Sequence, residues 1–210
     1  APTKLGLAPG SSIRVEDAIL ALVTKSANDV AVVIAENLSG SVEAFAQRMT
    51  QTARSLGMNA TTFRNPHGLP DSGQVTTARD MATLGRALHD RFPQYYGYFS
   101  TPSFTWNGVT IRNHNNLLGE AGIDGIKTGY TNASGYNLVT SYQLNGRYLV
   151  AVVMGGDTAS GRDDEMRRLL AQYVPHASNG PRTAALVVAS PLDLIPVPLP
   201  LANPMRTDPI

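Results

Sequence analysis

Residues 124–130 read DGIKTGY, a short run of strand formers that passes into lysine, threonine and glycine. Lys127 supplies a fixed positive charge and Thr128 a hydroxyl group, while Gly129 removes a side chain so that a ligand backbone can lie close to the strand. The alternative is an exposed lysine at the end of a strand, followed by a turn. The stretch therefore predicts a strand whose end serves as a candidate ligand-binding edge.

Residues on both sides of this strand alternate between β-prone runs and tight turns. Asn107-Gly108 and Asn145-Gly146 each separate two such runs. Asn-Gly is the strongest short signal for a hairpin, because both turn positions need positive φ angles. The pattern predicts two antiparallel hairpins, with strands at 104–106, 109–111, 136–144 and 148–154.

The first third of the chain carries helical periodicity instead. Apolar residues recur at intervals of three and four, which predicts three helices between residues 14 and 58, with Ser41 as the N-cap of the third. Residues 59–75 are rich in Asn, Gly, Pro and Thr and predict a loop. Residues 77–80 and 160–163 resemble capping boxes and predict two further helices. Helices followed by hairpins and a closing helix predict an α+β fold, an antiparallel sheet covered by helices.

The composition excludes several classes of function. Seventeen basic and sixteen acidic residues nearly balance, which gives no electrostatic case for nucleic acid or an anionic membrane. The chain has no cysteine, which excludes disulfides and thiolate metal sites, and it has no apolar run of membrane-spanning length. We therefore expect one domain over residues 1–176 with no cofactor or metal, followed by a proline-rich linker or tail over residues 177–210.

Two further segments carry side chains that suit a binding site. Ser26 and Asn28 lie where the first two helices meet, and a break there turns both toward a cleft; the alternative is that one of them caps the second helix. Arg162 precedes the last helix, where its guanidinium can bind a carboxylate with two hydrogen bonds. The alternative for Arg162 is a surface ion pair with Asp163 or Asp164. Each segment taken alone favours the ordinary alternative.

Together these segments form the Ser-x-Asn and Lys-Thr-Gly pair of penicillin-binding proteins and serine β-lactamases. Over residues 5–175 the chain resembles the D-Ala-D-Ala carboxypeptidases, which are low-molecular-mass penicillin-binding proteins. Five ordered segments carry the resemblance: NPHGL at 65–69, TARDMA at 77–82, NHNNLL at 113–118, DGIKTGY at 124–130 and ASGYNLV at 133–139.

The resemblance implies a β-lactamase/transpeptidase-like α+β fold with a helical subdomain. It also implies a serine that attacks a peptidoglycan stem peptide ending in D-Ala-D-Ala, forms an acyl-enzyme and releases D-alanine, with β-lactams acylating the same serine. The expected partners are that peptide and β-lactam antibiotics, without nucleic acid or metal. The expected compartment is the periplasm, reached by a signal peptide that this chain does not contain. Peripheral membrane association through a missing or C-terminal segment stays open.

Three residues match the family's catalytic helpers. The resemblance implies that Ser26 relays a proton toward the leaving amine. It implies that Asn28 binds the substrate amide and the active-site lysine, and that Lys127 supports the electric field and hydrogen bonds around Ser26.

Substrate binding is implied for a second group. Thr128 and Arg162 match the groups that hold the substrate's terminal carboxylate, and the strand at Gly129 would hydrogen-bond the extended peptide. His114 stands where the family often has Arg, and Tyr130 where it often has His. Both departures bear on substrate preference and neither removes a catalytic group.

The sequence lacks one motif that the family requires. Ser-x-x-Lys carries the nucleophile and its base on one helical turn, and no serine of this chain has a lysine three residues later. In the family this motif precedes the segment that matches Ala1. We therefore expect an N-terminally truncated chain, whose missing part holds the nucleophile and outer strands of the sheet.

Other activities stay open. A D,D-endopeptidase would use the same residues. A class A β-lactamase needs a glutamate to activate water, and Glu120 is the only one between residues 44 and 126. A non-catalytic module that binds peptidoglycan peptides is a third alternative, and a variant of it makes Ser26 the nucleophile with Lys127 as its base.

Overall fold

The computed structural model describes residues 3–179 and 185–187 of the chain. Its five α helices are α1 (Val15–Lys25), α2 (Asn28–Ser39), α3 (Val42–Ser55), α4 (Ala78–Arg91) and α5 (Ala159–Tyr173). Its five strands are β1 (Ser103–Trp106), β2 (Val109–Arg112), β3 (Ile123–Thr131), β4 (Gly135–Leu144) and β5 (Arg147–Gly156). Short 3-10 helices cover Pro93–Ser100 and Val174–His176.

The strands form two antiparallel sheets. One is the β1–β2 hairpin, and the other has the order β3-β4-β5. Asn107 and Asn145 adopt φ angles of 47° and 52°, each followed by a glycine with positive φ. Both Asn-Gly hairpins are therefore confirmed, since these turns need two successive residues in the left-handed region.

Helices cover both faces of the three-stranded sheet. On one face, Leu138 and Val153 pack against Met166 and Leu170 of α5. On the other face, α4 approaches so closely that a Cβ atom on Gly85 would lie 2.9 Å from Val150 Cγ1. The glycine thus sets the distance between α4 and the sheet.

The remaining helices form a layer beside the sheet. Ala18, Ala21, Ala27 and Val30, from α1 and the start of α2, pack against Phe104 of β1. The small alanines let these elements approach closely, and α3 packs on α2. This layer places the α1–α2 junction opposite β3.

Most of the helix starts were predicted correctly from the sequence. The Ser41 hydroxyl accepts a hydrogen bond from Ala44 N at 3.1 Å and the Thr77 hydroxyl one from Asp80 N at 3.1 Å, so both caps are confirmed. The capping box at residues 160–163 was wrong. α5 begins two residues earlier, because extended Thr158 accepts from Gly161 N at 2.9 Å and so takes the N-cap role.

The segments between and after these helices and strands were predicted only in part. The 3-10 helix at Pro93–Ser100 was not predicted, because its aromatic residues follow no helical period. The loop at 59–75 is confirmed apart from a single Thr62–Val75 bridge. Most of the proline-rich segment 177–210 lies outside the described residues. Among those residues, no helix is long and apolar enough to cross a membrane.

Candidate active site

The α1–α2 junction turns the chain sharply at Ser26. This residue ends α1 in the left-handed conformation, with φ 56° and ψ 46°, and its N–H still donates to Leu22 O at 3.2 Å. The N-cap of α2 is extended Ala27, and no side chain caps that helix. Neither Ser26 nor Asn28 is therefore the helix cap that the alternative interpretation required.

The N-terminal segment holds this junction in place. Thr3 Oγ1 donates to Ser26 O at 3.0 Å, and Asn28 N donates to Thr3 O at 3.0 Å. The Asn28 amide, only 6% exposed, also donates from Nδ2 to Thr3 Oγ1 at 3.3 Å. The asparagine is thus fixed in position before any ligand arrives.

Asp29 adds a second anchor. Its carboxylate accepts hydrogen bonds of 2.8–3.2 Å from the backbone N–H groups of Leu5, Gly6 and Leu7. Burial raises the pKa of Asp29, but these donors and the N–H of Val30 outweigh that effect and hold the pKa below its usual value. The ionised carboxylate therefore ties residues 5–7 to the start of α2.

Lys127 lies inside β3 and is partly buried, which differs from the exposed lysine of the ordinary interpretation. Its Nζ donates to Thr128 O at 2.8 Å. Burial, together with a smaller effect of the nearby positive charge of Arg162, lowers the pKa of Lys127 to about 8. The amine therefore exchanges protons close to neutral pH, as a group that shuttles protons must.

Two adjoining cavities meet at Lys127. The first, here called the junction cavity, has a volume of about 450 Å³ and lies between the α1–α2 junction and the sheet, with Ser26 and Asn28 in its wall. The second, the strand cavity, has a volume of about 770 Å³ and runs along Thr128 and Gly129 under the loop at 65–76. The structure thus brings five of the predicted residues around one continuous cleft.

Arg162 occupies a different position from the one predicted. It is 4% exposed, and its Nε and Nη2 donate to Asp163 Oδ1 at 2.9 and 2.7 Å. Nη1 lies 3.4 Å from Asn137 O, on the strand next to Thr128. Arg162 is not among the described residues that line either cavity. The ion pair with Asp163 is therefore present, but it is buried, and the charge of Arg162 contributes to the lowered pKa of Lys127.

His114 is exposed at the start of a segment that Asn115 holds to β3, with Nδ2 donating to Gly125 O at 3.4 Å. Desolvation lowers the pKa of His114, and the charges of Lys127 and Lys25 lower it further. The sequence interpretation overlooked Lys25, although it directly precedes Ser26. It is a further cation near the cleft.

His67, in the NPHGL segment, helps to hold the conformation of its own loop. Its Nδ1 accepts from Leu69 N at 3.2 Å, which leaves Nε2 as the protonated nitrogen of the neutral ring. The residue also lines both cavities, between the α1–α2 junction and β3. The signal for this second role was its place in the NPHGL segment.

No glutamate occurs among the described residues that line this cleft, where a class A β-lactamase would need one. Glu120 accepts two hydrogen bonds from Arg167, at 2.8 and 3.0 Å, on the side of the sheet covered by α5. No group of three or more metal-ligating side chains occurs among the described residues. The functional groups that this cleft provides are an amine, a hydroxyl and an amide beside the edge of a strand.

Comparisons with known proteins agree with this geometry. A family model described as D-alanyl-D-alanine carboxypeptidase matches residues 3–158. The chain is 40% identical over 166 residues to D-alanyl-D-alanine carboxypeptidase DacD of Escherichia coli, which covers 78% of this chain and 43% of that protein. The chain thus spans less than half the length of this curated relative.

Solved structures show the same fold. Penicillin-binding protein 5 from Haemophilus influenzae matches with a TM-score of 0.78 and 37% identity, covering 81% of this chain and 50% of that one. Penicillin-binding protein D2 from Listeria monocytogenes, in an ampicillin-bound form, matches with a TM-score of 0.69 and 32% identity over 74% and 65% of the two chains. The predicted fold class is confirmed.

Proposed function

The chain belongs to the D-alanyl-D-alanine carboxypeptidase family, and from that membership we propose that the protein trims the terminal D-alanine from peptidoglycan stem peptides through an acyl-enzyme. The observation that carries the proposal is the cleft in which Ser26, Asn28, Lys127, Thr128 and Gly129 meet. The compartment that fits this substrate is the periplasm.

Three residues form the proton-handling part of the proposed site. Lys127, with a pKa of about 8, holds a proton that it can pass on near neutral pH. The hydroxyl of Ser26 can carry that proton to the leaving amine of D-alanine. Asn28 is held by Thr3 and presents its amide to the substrate from the same wall.

The edge of β3 forms the proposed binding part. Gly129 has no side chain, and the nearest atom to a Cβ placed there would be Asn137 Cβ at 4.0 Å, so an extended peptide can approach the backbone. The terminal carboxylate of the substrate would then lie near the positive charge of Lys127 and beside Thr128, while the charge of buried Arg162 is paired with Asp163. A free carboxylate is the feature that separates a carboxypeptidase substrate from an internal peptide bond.

The attacking serine of this proposal lies outside the residues of the chain, because no Ser-x-x-Lys occurs in them. β-Lactams would acylate that serine, and the related D2 protein is known in an ampicillin-bound form. The chain's own residues then bind, orient and move protons around a nucleophile supplied by another segment.

The test uses the complete product of the gene. We expect fluorescent penicillin to label it, and we expect it to release D-alanine from a stem pentapeptide with a free C-terminal carboxylate. The matched control is the same peptide with an amidated C-terminus, which should react about 100-fold more slowly. Absence of labelling, or equal cleavage of the two peptides, would contradict the proposal, and preferential cleavage of a cross-linked muropeptide would indicate an endopeptidase.

A further inference from the structure

A short segment from beyond α5 lies on the outer surface of α4. Arg86 Nη2 donates to Ala185 O at 2.5 Å, and Val187 N donates to Asp90 Oδ2 at 2.8 Å. Arg86 and Asp90 are four residues apart and therefore share one face of the helix. Two side chains of α4 thus hold a carbonyl group and an N–H group of the same three-residue segment.

One apolar side chain of this segment packs against the protein, and the other is exposed to solvent. Val187 is partly buried and packs against the apolar cluster between α3 and α4, whose buried members are Ala53, Leu56, Met58 and Ala87. Leu186 is 58% exposed. The contact therefore has two polar attachments and one apolar anchor, which is the composition of a site that recognises a peptide segment.

We propose that the α3–α4 surface is a binding site for an apolar peptide segment, and that residues 185–187 of this same chain are its occupant. The segment, here called the α4 clamp, holds the outer face of α4. The inner face of that helix lines the junction cavity with Met81, Leu84, Gly85 and Leu88. The clamp therefore fixes the position of α4 from outside the cleft, and in this way it supports one wall of the cleft.

Adjacent residues of the clamp provide a matched pair of variants. Val187→Asp places a charge in the apolar cluster, whereas Leu186→Asp places the same charge in solvent. In the full chain, we expect Val187→Asp to accelerate hydrogen exchange of the α4 amides about tenfold and to lower the melting temperature. Leu186→Asp should leave both unchanged. Equal behaviour of the two variants would overturn the proposal.

A second pair keeps the test decisive if Val187→Asp prevents folding. Arg86→Ala removes the hydrogen bond to Ala185, while Arg79→Ala removes an exposed arginine from the same helix. Faster exchange of the Val187 amide in Arg86→Ala alone would support the clamp. Asp90 is left unchanged because it also lies 3.6 Å from His89 Nδ1.

The intramolecular origin of the clamp is tested by dilution. Protection of α4 should stay constant as the protein concentration is lowered, and sedimentation should give a monomer mass at the concentration of the exchange experiment. Protection that falls on dilution, together with a dimer mass, would show that the occupant comes from a second copy and would overturn the proposal as stated.

Discussion

Lys127 places a positive charge in a poorly solvated position between the two cavities, and this lowers the stability of the folded protein. Burial and the charge of Arg162 bring the pKa of Lys127 from 10.5 down to about 8. Below pH 8 the folded chain must hold an ammonium group that water solvates better in the unfolded chain. The cost is of the order of 3 kcal/mol, from the difference between the two pKa values. Such a cost at a cleft is typical of groups kept for function rather than for stability.

This cost predicts a pH dependence of stability. Between about pH 8 and 10.5 the unfolded state binds the Lys127 proton and the folded state does not, so the free energy of unfolding rises with pH through that window. Lys127→Met removes the buried ammonium group, so the variant should have a higher free energy of unfolding than the parent chain at pH 7. We expect this difference to shrink by up to about 3 kcal/mol by pH 10.5. Urea unfolding of both proteins across this range measures it. Parallel curves would contradict the lowered pKa.

The residues of the cleft differ in how far the sequence could locate them. Ser26 and Asn28 were found because a helix break between two apolar faces is visible in the sequence. Burial of Arg162 was not visible, because it depends on packing between α5 and β4, and its neighbour Asp163 suggested a surface pair. The effect of Lys25 on the pKa of His114 was not visible either, because the end of α1 and His114 come near each other only in the folded chain.

At the scale of elements, local signals predicted most of the fold. Ser41 and Thr77 cap their helices, since a hydroxyl that accepts from the N–H three residues on satisfies a donor that the helix leaves free. The start of α5 was misplaced because Thr158 and Ser160 both suit a cap. Only the backbone decides between them, and Thr158 is the extended residue. Such ambiguity is expected wherever two cap formers stand two residues apart.

The contact between α4 and the sheet makes a prediction about Gly85. Alanine has the higher helix propensity by about 1 kcal/mol, but its Cβ would lie 2.9 Å from Val150, 3.0 Å from Ile126 and 3.3 Å from Val139. Valine and isoleucine have stiff side chains, so the helix must move instead. We expect Gly85→Ala to lower the free energy of unfolding by about 1–3 kcal/mol, measured by urea denaturation.

The control for this prediction is Gly97→Ala. Gly97 has no atom within 4 Å of a Cβ built on it and does not need a positive φ angle. This change should be nearly neutral. A neutral Gly85→Ala would mean that α4 can move away from the sheet at little cost, and that the wall of the junction cavity is adjustable.

At the scale of the whole molecule, the order of segments predicted more than any one of them. Ser-x-Asn, NPHGL, TARDMA and Lys-Thr-Gly each have an ordinary structural interpretation, yet their order and spacing identified the fold class. The approach of residues 185–187 to α4 could not be foreseen, because proline-rich sequence with short apolar runs indicates a linker. A contact made between residues 97 or more positions apart leaves no local signal.

The whole molecule also decides whether the chain can react by itself. Ser26 has no lysine three residues on, and Lys127 donates to Thr128 O and is mostly protonated at pH 7 with a pKa of about 8. The protonated form of the amine cannot take the hydroxyl proton of an attacking serine, and the proposal assigns Ser26 the role of a proton relay rather than of a nucleophile. We therefore expect intact-mass spectrometry to find no adduct after the 210-residue chain is incubated with benzylpenicillin at pH 7.

Raising the pH makes this last prediction stricter. At pH 9 most Lys127 amines are neutral, so the general base of the alternative mechanism would be available. If Ser26 were the nucleophile, an adduct would form at pH 9, grow more slowly at pH 7 and disappear in Ser26→Ala. If Ser26 is a proton relay, as proposed, the chain stays unmodified at both values, while the complete gene product is acylated under the same conditions. The pH 9 sample thus separates a missing nucleophile from a nucleophile that lacks only its base.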